Sequence, residues 1–144
     1  MKPPLAAQIQ LRQAALARRR QELAQGGAAL ARDWKQRFPK GSLPFTLARL
    51  GGESNTLLRW RCSGSKAFRP RGGRIELAQL REGIAALPAP VRARVLQFEQ
   101  VRIELNYEYA LVAYHLARLE DFDRHRAVLA GLRRPANSAA NRKI

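Results

Sequence analysis

Between Val91 and Leu119 an apolar repeat runs almost without interruption, and it limits this chain to a helix-built fold. Val91, Val95, Phe98, Arg102, Leu105, Tyr109, Val112, Leu116 and Leu119 recur with alternating steps of four and three, the spacing of a helix seam that packs against another helix. Only Arg102 breaks the seam. A buried arginine there demands a carboxylate, from Glu99 or from an acid on another helix. Leu96, Ile103, Tyr107, Leu111 and Tyr114 form a second stripe, read as widening the packed face. Pro90 fits the first turn, so the spacing predicts one helix over 90–132.

A weaker repeat marks the other end of the chain. Ile9, Leu16, Leu23, Leu30 and Trp34 keep a similar spacing, with Gln13, Arg20 and Gly27 in the intervening slots. A helix over 5–37 follows, stopped at Phe38-Pro39. The pair Gly26-Gly27 implies a break, a kink or a close crossing with another backbone.

Between the helices the period changes to two. Leu58, Trp60 and Cys62 alternate with Arg59 and Arg61, so the arginines fall on the face opposite the tryptophan. The β region spans 44–77: a first strand near Phe45 and Leu47, turns at 51–55 and 63–65, a strand beginning at Lys66–Arg69, and a closing run from Arg74. A short helix over 78–87 precedes Pro88. The expected class is α+β and mostly helical, with the two long helices packed antiparallel and a hairpin or three-stranded antiparallel sheet between them. One domain covers 1–132, and 133–144 reads as a disordered basic tail.

Charge says most about function. The chain has 27 Lys and Arg against 11 Asp and Glu, a net charge of +16. Arginines outnumber lysines 22 to 5, which a GC-rich coding bias would favour, but that bias does not explain the shortage of acids. Residues 56–81 hold seven bases against one acid, Glu76. Such a surface neutralises phosphates with little regard to sequence. The candidate nucleic-acid contacts are Arg59, Arg61, Lys66, Arg69, Arg71 and Arg74, with Phe68 available to stack, and Arg18 and Arg19 on the first helix. Gly72-Gly73 would let backbone approach a phosphate. Trp60, aligned with Leu58 and Cys62, reads as core.

Catalytic alternatives find little support. Glu104, Glu108 and His115 share a helix face, but a carboxylate-bridged metal site needs paired Glu-x-x-His motifs, which are missing. A tyrosine nucleophile would need a histidine cluster, and the chain has only His115 and His125. Neither cofactor nor metal is expected. The single cysteine, Cys62, reads as a buried apolar residue. The N-terminus lacks the apolar stretch of a secretory signal, and no run is long enough to span a membrane, so a cytoplasmic location is expected.

The block LLRWRC…RGGRIEL, followed by the LP before the long helix and the E-x-x-R-x-E-L-N stretch (Glu99, Arg102, Glu104, Leu105, Asn106), resembles a family of uncharacterised proteins encoded on bacterial integrative and conjugative elements. The resemblance covers about residues 44–120. It implies a setting in the transfer or maintenance of mobile DNA, and no activity. Two functional expectations stand. The first is a non-enzymatic nucleic-acid-binding accessory protein, with DNA ahead of RNA. The second is a helical adaptor that binds an acidic protein partner through the long helix. A homodimer through that helix accompanies the first expectation, and a monomer without nucleic-acid affinity favours the second.

Overall fold

The computed structural model describes residues 3–50, 56–62, 74–75 and 77–134. Helix α1 spans Leu5–Arg37. Strand β1 is Phe45–Arg49, β2 is Leu58–Cys62 and β3 is Arg74–Ile75. A 3₁₀ turn at Leu77–Leu80 leads into α2, Arg81–Ala85, and α3 runs from Ala89 to Arg133. The expected α+β architecture is present: two long helices with a small antiparallel sheet, in the order β1-β2-β3, between them in sequence. The strand expected from Lys66 and the tail from Pro135 onward lie outside the described residues.

Local chemistry sets the ends of α1. Pro3 and Pro4 precede it, and Gln8 Nε2 donates to the Pro3 carbonyl at 2.7 Å. Lys35 and Arg37 occupy the last turn, where cations suit the helix dipole. The Phe38 amide closes the helix on the Trp34 carbonyl at 2.8 Å, and Pro39 cannot extend it. The reversal toward β1 uses Gly41 at φ +90°, a conformation that side-chain-bearing residues avoid.

The helices are antiparallel: as residue numbers rise along α1, they fall along its neighbours on α3. Ile9 meets Leu119, Arg20 meets Tyr109, Gly26 meets Leu105 and Trp34 meets Phe98. Every apolar residue of the α3 seam is buried or half-buried. The flanking stripe is a different matter. Leu96, Ile103, Tyr107, Leu111 and Tyr114 are all exposed, so they do not widen the packed face. At about 100° per residue, Leu96 and Leu105 lie roughly 180° apart, which sends this stripe to the far side of α3.

The core gathers where α1, the sheet and α3 meet. Trp34 is 1% exposed. Its ring lies 4.4 Å from that of Phe38, 5.0 Å edge-on from Trp60 and 5.2 Å edge-on from Phe98. Offset and edge-on aromatic geometries are the favourable ones. Phe45, Leu47, Leu58, Leu77, Leu80, Ile84 and Val95 complete this cluster.

The Gly26-Gly27 pair neither breaks nor ends α1. It marks a close approach instead: a Cβ at Gly26 would lie 3.5 Å from Leu105 Cδ2, and one at Gly27 3.6 Å from Leu57 Cβ. Both are ordinary van der Waals distances, so a methyl fits where a larger group would not. Gly26→Ala and Gly27→Ala should therefore each stabilise the fold by about 0.5–1 kcal/mol through helix propensity. Gly27→Leu should destabilise it by about 1–3 kcal/mol through overpacking against β2. Urea denaturation followed by circular dichroism reads both signs.

Candidate nucleic-acid interface

Strand parity builds the site. In the β1–β2 ladder Phe45 pairs with Cys62, Leu47 with Trp60 and Arg49 with Leu58, while Thr46 pairs with Arg61 and Ala48 with Arg59. Phe45, Leu47, Leu58 and Trp60 are buried toward the helices. Arg59 and Arg61 must then project from the opposite face, because successive side chains of a strand alternate. The β2–β3 ladder sets Arg74 directly across from Arg61.

Among the described residues, the ladder neighbours of these two arginines supply no counter-charge. Ala48 carries none, and the Thr46 hydroxyl already accepts a hydrogen bond from Trp34 Nε1 at 3.1 Å. Arg61 is exposed. Arg59 is half-buried, and its Nε is buried with no hydrogen-bond partner among the described residues. A buried N–H left without an acceptor costs roughly 1–3 kcal/mol, and more beside a charge.

Two residues of α3, Glu99 and Asn106, lock β2 onto the helix and so hold the arginine face outward. Trp60 Nε1 donates to Glu99 Oε2 at 2.5 Å. Arg102 grips the same carboxylate twice, Nε to Oε2 and Nη2 to Oε1, both at 2.7 Å. This is the acid that the seam arginine was expected to require. Asn106 is the second anchor: its Oδ1 accepts from the amides of Leu57 and Leu58 at 3.0 Å each, and its Nδ2 donates to the Leu58 carbonyl at 2.9 Å. The side-chain amide thus behaves as a short piece of neighbouring strand.

The remaining candidates divide. Lys66, Phe68, Arg69, Arg71 and the Gly72-Gly73 pair lie outside the described residues. Arg18 is exposed on α1. Arg19 is not a free cation: it pairs with Glu108 of α3 and, at 3.3 Å, with Glu22. Hydrogen bonds that it donates to Glu108 first, then to Glu22, hold its guanidinium above its ordinary pKa. Arg18 and Arg19 also lie more than two turns N-terminal to Gly27, where β2 packs, so the structure does not merge them with the sheet face. Arg20 leaves the core slot by laying its guanidinium over the Tyr109 ring, 5.5 Å from the centroid, and donating Nε to the Tyr109 hydroxyl at 3.1 Å.

The acid and histidine cluster does not assemble. Glu104 accepts from Gln100, and Glu108 is engaged with Arg19. Among the described residues, no group of three or more His, Cys, Asp and Glu could hold a metal ion. Cys62 is half-buried, less enclosed than expected, and with Lys35, Phe38, Lys40, Phe45 and Thr46 it lines a cavity of about 390 Å³ beside the sheet. No helix among the described residues is long and apolar enough to cross a membrane. Comparison with protein families, with curated proteins and with solved structures finds no match to this chain.

Sequence reasoning missed Asn106 as an anchor. The available signal was an amide with poor helix propensity, placed mid-helix next to the seam. Asn106→Ala removes all three bonds to β2 and should cost about 2–4 kcal/mol. Hydrogen exchange at the Leu57 and Leu58 amides should accelerate selectively, before any global loss of protection. Arg59→Met tests the strained face with the opposite sign: it deletes the orphaned N–H and should raise stability by about 1 kcal/mol in the same denaturation assay.

Proposed function

We propose that the chain is a nucleic-acid-binding accessory protein with no chemistry of its own, which grips the phosphate backbone through the outer face of its sheet. The observation that carries this reading is the pair Arg59 and Arg61. They share one face with no acid opposite them among the described residues, and Arg61 is exposed there. A phosphate supplies the counter-charge, and a guanidinium is shaped to receive it.

The setting favours a sequence-blind grip. Among the described residues, this face offers Thr46, Ala48, Arg59 and Arg61, with no Asn or Gln to read adenine. The net charge of +16 draws polyanions from a distance, at rates that fall with salt. The family resemblance supports DNA over RNA and would place the protein in the transfer or maintenance of a mobile element.

Fluorescence anisotropy with duplex and single-stranded DNA across a salt series tests the assignment. Arg59→Gln/Arg61→Gln should weaken binding by at least about tenfold and reduce the salt slope by about 2, one unit per phosphate contact. Arg19→Gln, already neutralised in the native fold, should change affinity far less. Unchanged affinity in the double variant, with its melting curve intact, removes the sheet from the interface.

A further inference from the structure

The outer face of α3 carries a stripe of large apolar side chains that no described residue covers. Leu96, Ile103, Tyr107, Leu111 and Tyr114 stand 42% to 65% exposed on the side opposite the buried seam. Isolated exposed apolar residues are ordinary, but a continuous stripe of large ones is not. The helix also overshoots α1. Leu5, the first residue of α1, lies beside Leu119 and Phe122, while α3 continues to Arg133 with Val128, Leu129 and Leu132 exposed.

We propose that this stripe pairs with the same stripe of a second copy, the two α3 helices running antiparallel about a two-fold axis near Leu111. Charge is the first argument. Residues 90–132, the span this pairing uses, hold six acids and six bases, a net charge of zero within a chain of +16. Two copies can meet here without the repulsion their other surfaces would impose. An acidic protein partner, by contrast, would gain nothing from this face.

Symmetry is the second argument. Glu104 lies seven residues before Leu111, and Arg118 lies seven after it. An antiparallel two-fold at Leu111 therefore sets Glu104 of each copy level with Arg118 of the other, twice per dimer. Tyr107 and Tyr114, four before and three after, fall within one residue of level and form an aromatic centre suited to an interface. The overhang that carries Val128 and Leu129 then runs alongside residues 90–96 of the other copy, next to Leu96. The register uses every exposed segment of the stripe.

Light scattering coupled to size exclusion, on the full chain without nucleic acid and at moderate salt, decides this apart from the binding reading. The expected mass is twice 16.2 kDa. Ile103→Asp should give monomers with an unchanged circular dichroism spectrum. Glu104→Arg and Arg118→Glu should each raise the dimer dissociation constant at least about tenfold, and combining them in one chain should restore it. In a Cys62→Ser background, Leu111→Cys should form an intermolecular disulfide on mild oxidation. A wild-type chain that stays monomeric to about 100 µM overturns the proposal, as does a dimer indifferent to Ile103→Asp. A dimer that Ile103→Asp disrupts but the charge variants leave untouched overturns the antiparallel register.

Discussion

Trp60 packs edge-on against Trp34, and that contact decides which way β2 faces. Both indoles are 1% exposed, their rings 5.0 Å apart, with Phe45 and Phe98 close by. A strand cannot bury position 60 without turning positions 59 and 61 the other way. A slip of one residue would drive two guanidinium groups into the aromatic cluster at a cost no local rearrangement could offset. The cationic face is therefore a consequence of the hydrophobic one.

Packing alone would leave the strand free to slide along α3, and the polar anchors remove that freedom. Glu99 serves two donors from two elements, Trp60 on β2 and Arg102 one turn along its own helix. With the pair's side chains only 17% and 14% exposed, its worth lies less in net stability than in position, because leaving either charge unmatched is costly. Asn106, seven residues on from Glu99, repeats the arrangement with backbone groups. The E-x-x-R-x-E-L-N stretch that carries the family resemblance thus acts in part as the attachment of sheet to helix: Glu99, Arg102 and Asn106 are anchors, and Leu105 packs against the core.

Much of this was legible beforehand, for reasons specific to each element. The seams of α1 and α3 could be read because helix periodicity and burial coincide along them, from Ile9 to Trp34 and from Val91 to Leu119. The faces of β2 could be read because five residues alternate cleanly. Arg102 announced its own carboxylate by standing in an apolar row. The exposure of Leu96, Ile103, Tyr107, Leu111 and Tyr114 was misjudged, since hydrophobicity shows that a side chain wants cover but not whether its own chain supplies it. Asn106 was passed over because its partners are backbone groups 48 and 49 residues away, which no local pattern encodes. Arg19 illustrates the same gap: the three consecutive arginines of α1 are alike in sequence, and only the approach of Glu108 from α3 separates them.

That difference bears on how the charge should be weighed. A formal excess of sixteen positive charges says little about which cations are available, because ion pairing is local. On the helices, Arg19, Arg37, Arg102, Arg118, Arg124 and Arg126 each have a carboxylate within reach. All of these except the link from Arg19 to Glu108 join residues three or four apart on one helix, which helical geometry provides almost without cost. A strand offers no such neighbour. Its same-face residues are two apart, and the cross-strand partners of Arg59 and Arg61 among the described residues are Ala48, Thr46 and Arg74. Arginines on β2 therefore stay unneutralised unless the fold brings an acid to them, and Glu99 of α3 meets Trp60, on the opposite face. The free positive charge of this protein is concentrated by secondary structure as much as by composition.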